Sequence, residues 1–135
     1  MLMTTLQIFE TMRRAGFPPT VAVTMTAIAL RESGGDPNAF NDNPATKDRS
    51  YGLLQIDALT LGPAYLKAFG VTDEKELLDP NVNAHAGFVL WNHTNKNLDV
   101  AWYISRSVYK ERYELHLPAA QAAALESPLG MSAIT

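Results

Sequence analysis

Residues 27–41 read AIALRESGGDPNAFN, and the fold turns on how this stretch is understood. Val21, Met25, Ile28 and Ala29 recur at steps of three and four, so they share one face of a helix. Glu32 follows Ile28 by four residues and Ala29 by three, which sets a carboxylate on that same apolar face just before a Ser33-Gly34-Gly35 break. A carboxylate held among apolar side chains loses hydration in its charged form. Its pKa rises, and it can keep a proton near neutrality as a general acid. The plainer alternative is a glutamate at a helix end that snorkels to solvent or pairs with Arg31 or Arg49. Position alone leaves both readings open.

Upstream, Leu6, Phe9, Met12 and Arg13 fall at helical intervals within residues 4–16, and Gly16 stands where a C-cap glycine belongs. After Phe17-Pro18-Pro19, Thr20 is the expected N-cap of the second helix, which runs to about Ser33. Downstream, residues 34–50 are dense in Gly, Pro, Asn, Asp and Ser and read as one long loop, a length more often functional than not. The apolar segment YGLLQI at 51–56 is too short to assign by periodicity. Short helices are expected over 59–69 and 73–78, the second opening with a capping-box pattern from Thr72 to Lys75. A longer helix starts at Pro80, with Asp79 as N-cap and Val82, Ala86, Val89 and Leu90 on its buried side. Helix is also expected over part of 99–114 and over the Ala-rich 117–126.

The 135 residues suit one domain with a real core, and 47% apolar with 19% charged residues is the composition of an ordinary globule. We place the domain at residues 1–126, followed by an apolar tail at 127–135 that is a candidate docking segment. A net charge of −3 and no basic run longer than Arg13-Arg14 offer no field for nucleic acid. No apolar run approaches the roughly 18 residues that span a bilayer, so membrane insertion is not expected. The first twenty residues lack the apolar core and cleavage site of a signal peptide. Zero cysteines remove disulfides and thiolate-bound zinc. Residues 36–43 are oxygen-rich but break the calcium-loop pattern, and His85, His93 and His116 share no ligand spacing. No metal and no cofactor are expected.

Three segments in order, ALRESGGDPNAFN, DRSYGLLQI and LLDPNVNAHAGFVL, resemble the lysozyme-like superfamily, specifically the lytic transglycosylase and goose-type lysozyme group, nearest to transglycosylase domains of phage tail proteins. The resemblance covers roughly residues 20–105. It implies a mainly α, α+β lysozyme-like fold: a single compact helical domain with a glycan-binding cleft and little or no sheet. It also implies a peptidoglycan-cleaving enzyme, a lytic transglycosylase or lysozyme-type muramidase, acting on the bond between N-acetylmuramic acid and N-acetylglucosamine. The catalytic acid would be Glu32, with Ser50, Tyr51, Gly52, Leu53 and Gln55 as the substrate-binding wall.

Apart from the resemblance, Gly52 would admit a sugar ring close to backbone, Ser50 and Gln55 can hydrogen-bond N-acetyl groups, and Tyr51 can offer a ring face. The competing reading makes this segment a core strand. A second acid, where one takes part, would come from Asp36, Asp42, Asp48 or Asp57; Asp48 is preferred because goose-type enzymes place an aspartate there. The family's acid-orienting tyrosine maps near Tyr103, although VAWYIS at 100–105 lacks the usual Asn-Gly and offers Trp102 instead. Trp91 and Trp102 are read as core aromatics. The implied partners are peptidoglycan strands and, for a virion- or secretion-borne enzyme, other tail or secretion-apparatus proteins. The implied location is the phage tail or the bacterial periplasm and wall. A structural or glycan-binding component that keeps the fold without cutting is the alternative.

Overall fold

The computed structural model describes residues 1–98, 102 and 112–130. Helix α1 spans Thr5–Ala15. It is opened by a capping box in which the Thr4 hydroxyl accepts from the Gln7 N–H and the Gln7 side chain accepts from the Thr4 N–H. Helix α2 spans Pro19–Ser33. Its N-cap is Pro18, two residues before the expected Thr20, because Pro19 has no N–H to satisfy and a φ already suited to the first turn.

Ala22, Thr26 and Ala27 of α2 are buried along with Met25, Ile28 and Ala29. The helix is therefore enclosed over more than the one face that its periodicity suggests. α1, the later helix α6 (Leu117–Glu126) and a 3-10 turn at Tyr113–His116 pack against it. A helix covered on several sides is apolar round most of its circumference. The small Ala and Thr side chains let its neighbours approach, and the Thr26 hydroxyl is satisfied by the Ala22 carbonyl at 2.7 Å.

The expectation of an uninterrupted loop over 34–50 is wrong. Phe40–Asn43 (β1) and Asp48–Tyr51 (β2) form a hairpin, and Ile56–Asp57 (β3) completes a three-stranded antiparallel sheet in the order β1-β2-β3. The register sets Asn41 opposite Ser50 and Ser50 opposite Asp57, while Phe40, Tyr51 and Ile56 form the adjacent row. Alternation along a strand sends these rows to opposite faces. The polar row lines a groove, with Ser50 itself largely buried, and Tyr51 and Ile56 are buried in the core. Turn formers dominate the stretch because the strands are only four residues long and all of β1 is exposed, so apolar alternation is too sparse to read.

Beyond the sheet come α3 (Ala58–Leu61), α4 (Pro63–Ala68), a 3-10 turn at Glu74–Leu78, and α5 (Pro80–His93). The capping box of that turn begins one residue later than expected. Asp73 is the N-cap, and Glu76 reaches back to its N–H at 2.6 Å. Asp79 caps α5 as expected. Residues 127–130 are tied down rather than loose: Ser127 donates to Glu10 at 2.8 Å, and Arg13 Nε donates to the Leu129 carbonyl at 2.7 Å.

One side chain joins the sheet to the helices. Asn83 of α5 is fully buried; its amide donates to the carbonyls of Tyr51 and Leu77 and accepts from the Leu54 N–H, all at 2.8 Å. Gly52 makes this approach possible: with φ at +75°, a Cβ there would lie 2.5 Å from the Leu77 carbonyl oxygen and 2.6 Å from Asn83 Nδ2. A second tie is on the surface side, where Arg49 grips Glu74 and the Tyr51 hydroxyl donates to the same carboxylate at 2.6 Å. Burial, then the hydrogen bond to Glu74, push the Tyr51 phenol up to about 12. Replacing Asn83 by Ala strands one buried N–H and two carbonyls. At roughly 1–3 kcal/mol for the larger unsatisfied losses, urea denaturation should register a destabilisation of about 3 kcal/mol or more.

Candidate active site

A groove of about 580 Å³ runs between the C-terminal turn of α2 and the polar face of the sheet. The α2 side contributes Arg31 and Glu32; the sheet side contributes Asn41, Asp48, Ser50 and Asp57. The remaining wall is Gln55 and Ile56, then Thr60, Leu61 and Tyr65 from α3 and α4, with Leu90, Thr94 and Trp102 closing it.

Glu32 sits in the last turn of a helix that its neighbours cover, and its side chain is only 20% exposed. Burial raises its carboxyl above the ordinary glutamate value, and the charge and hydrogen bond of Arg31 oppose this without cancelling it. Both sequence readings of Glu32 therefore meet in one place: it is desolvated, and it is paired with Arg31, whose Nε donates to Oε1 at 3.1 Å. Arg49 is engaged elsewhere, by Glu74. The helix ends immediately afterwards because Gly34 takes a left-handed conformation at φ 63°. The Ser33 hydroxyl braces that end, donating to the Ala29 carbonyl and accepting from the Gly35 N–H.

Ser50, Gln55 and Asp48 join Glu32 on the groove, while Tyr51, Gly52 and Leu53 are not among the residues that line it. The physical reason is the strand's alternation followed by a tight turn. Tyr51 points into the core row and to Glu74, Leu53 is fully buried, and the close approach at Gly52 is to Asn83 and Leu77 rather than to a ligand. Gln55 adopts a left-handed φ of 51° and donates its amide to the carbonyls of Ala39 and Gly52. Only the NH2 end can face two carbonyls, so Oε1 is left as its acceptor. Asp36 and Asp42 do not line the groove. Tyr103 lies outside the described residues. Trp91 is buried, and Trp102 is buried with one edge at the groove, its indole N–H donating to the Leu54 carbonyl at 3.3 Å.

A family model described as a lysozyme-like domain matches residues 9–107. The chain belongs to that family. No curated protein and no solved structure matches it. At the level of the family, a lysozyme-like domain carries glycosidase or transglycosylase chemistry on peptidoglycan. In this lysozyme-like domain, among the described residues, no group of three His, Asp or Glu could hold a metal ion, and no helix is long and apolar enough to cross a membrane.

Sequence reasoning missed Asn41, Thr60, Tyr65 and Thr94 on the groove. Asn41 follows from the hairpin register once the strands are known, but Tyr65 and Thr94 come from helices whose placement no local pattern carries. Asp57 was weighed as a second acid, yet it is built in as the N-cap of α3, accepting from the Thr60 N–H and hydroxyl and from the Arg49 N–H. Burial pushes its carboxyl up, but the hydrogen bonds from Thr60 and Arg49 outweigh this and hold it below the ordinary aspartate value. Asp48, beside it, accepts from the Thr46 hydroxyl at 2.7 Å. Asp57→Ala should lose about 1 kcal/mol at neutral pH. Because the folded pKa is the depressed one, the difference between wild type and variant should hold above the ordinary aspartate range and disappear as pH falls through the folded value, which thermal melts across pH would show.

Proposed function

We propose that this lysozyme-like domain cleaves the β-1,4 bond between N-acetylmuramic acid and N-acetylglucosamine in peptidoglycan, with Glu32 as the catalytic acid. The observation that carries the reading is the position of Glu32: a largely buried carboxyl, its pKa raised by that burial, on the wall of a groove whose opposite wall is hydrogen-bonding sheet. Glycoside cleavage requires a proton on the leaving oxygen as the C1–O bond breaks toward an oxocarbenium-like state. Glu32 supplies that proton, and the pair of electrons leaves with the oxygen. Its conjugate base then takes a proton from the hydroxyl that attacks C1. If the attacker is the C6 hydroxyl of the same muramic acid, the product is a 1,6-anhydro sugar; if it is water, the product has a reducing end.

Ser50 and the Oε1 of Gln55 serve as hydrogen-bonding positions for the glycan, since both line the groove and the Gln55 amide is oriented by backbone before any ligand arrives. In a hydrolytic reaction Asp48 would be the carboxylate that positions water, a role supported by its place on the groove wall. We further propose delivery on a phage tail or through a secretion device, in contact with proteins of that apparatus, because the motifs around Glu32 and Ser50 resemble those of tail-borne transglycosylases.

Purified protein incubated with isolated murein should release soluble muropeptides, and Glu32→Gln should lower release by at least about 100-fold, within the usual 10²–10⁴ contribution of general acid–base catalysis. Mass spectrometry of the fragments distinguishes anhydro from reducing ends. Release from neither protein would instead describe a glycan-binding or structural module. The raised pKa of Glu32 sets the sign of the pH dependence: turnover should fall as pH rises through that value, later than an ordinary glutamate would allow.

A further inference from the structure

Among the described groove residues, Arg31 works against the acid beside it, its charge and hydrogen bond lowering the pKa that burial raises. Its side chain is only 4% exposed. A guanidinium so deeply buried is costly unless it is paired and hydrogen-bonded. Neighbours i and i+1 on a helix project about 100° apart and do not normally meet. Here they do, because Arg31 is held from outside the helix: Nη2 donates to the Trp102 carbonyl at 2.9 Å. From that anchor the guanidinium folds across to Glu32, with Nε at 3.1 Å and Nη2 at 3.0 Å, and both contacts fall on Oε1. Oε2 makes no hydrogen bond to the described residues.

We propose that Arg31 is a positioning residue, anchored on the Trp102 carbonyl, that occupies Oε1 of Glu32 and so makes Oε2 the oxygen that carries the proton into the groove. The inference rests on the reading of Glu32 as the acid. A proton on Oε1 would face the Nε–H donor and the nearby cationic Nη2, whereas neither of these contacts falls on Oε2. When that proton passes to the glycosidic oxygen, the carboxylate left behind is already paired with a cation. Arg31 thus orients the acid and stabilises its conjugate base, at the cost of opposing the rise in pKa that burial produces.

Other titratable groups among the described residues share the groove with Glu32 or lie near Arg31. Across the groove stand the carboxylates of Asp48 and Asp57 on the sheet, and α4 brings the Tyr65 phenol. On the far side, Glu114 of the 3-10 turn packed on α2 lies within electrostatic range of Arg31. α3 contributes Thr60 and Leu61, and α5 and its C-cap contribute Leu90 and Thr94, which carry no charge.

The test is a titration of Glu32 by carbon NMR with 13C-carboxyl glutamate, its signal assigned by Glu32→Gln, alongside muropeptide release. Arg31→Met should move the Glu32 midpoint to higher pH, and Arg31→Lys, which keeps the charge but cannot span Glu32 and the Trp102 carbonyl with a planar fork, should leave it nearer the wild-type value. Both should release muropeptides roughly 10- to 100-fold more slowly at their optimum, as misplaced catalytic groups do. An unchanged midpoint in Arg31→Met would overturn the proposal. Should that variant fail to fold, Arg31→Lys decides, since wild-type release from it would mean that the fork positions nothing. If wild-type protein releases no muropeptides, the function proposed above has failed, and the titration alone reports whether Arg31 holds Glu32.

Discussion

The buried amide of Asn83 is the constraint on which the arrangement depends. It satisfies three backbone groups at once, from the end of β2, the turn after it and the 3-10 turn before α5. In a dry interior each of these groups would cost heavily if unpaired, so the amide fixes where the sheet sits against α5. Gly52 permits the contact because nothing larger fits between its backbone and the amide. With the Tyr51 backbone held by this tie and its side chain packed in the core, alternation turns Ser50 and Asp48 to the groove. The polar wall of the groove follows from a hydrogen bond made in the core.

The other wall arises from the burial of α2. A helix packed against α1, α6 and the 113–116 turn leaves its C-terminal turn largely covered, so Arg31 and Glu32 keep side chains that are mostly buried yet line the groove. Two opposite charges placed there respond differently. Glu32 loses hydration, which raises its pKa; Arg31 finds acceptors in Glu32 and the Trp102 carbonyl. Neither effect abolishes the other. The result is a carboxyl that is raised yet gripped, an arrangement that a surface pair, worth about 0–1 kcal/mol and freely reorienting, would not produce.

Much of the helical framework was legible locally. Gly16, Asp79 and Pro80 mark ends that the structure keeps, and the Ala-rich 117–126 segment is helical as its composition predicts. Caps whose choice depends on close alternatives shifted by one or two residues, from Thr20 to Pro18 and from Thr72 to Asp73. The sheet was illegible because its strands are short and β1 is exposed along its whole length, so their pairing is written in register and not in composition.

The sequence by itself determined that a carboxylate would stand on the apolar side of a helix and that the helix would stop directly after it, because 3.6-residue periodicity and two glycines are local facts. The ordered motifs around that residue also carried the lysozyme-like family. Only the tertiary structure decided which residues share the groove. Ser50 lines it and Tyr51 does not, Gln55 lines it and Leu53 does not, and Tyr65 arrives from a distant helix. The physical reason is that membership of the groove depends on strand register, a turn closed on Asn83 and the docking of α4, none of which is encoded within a few residues of the side chains concerned.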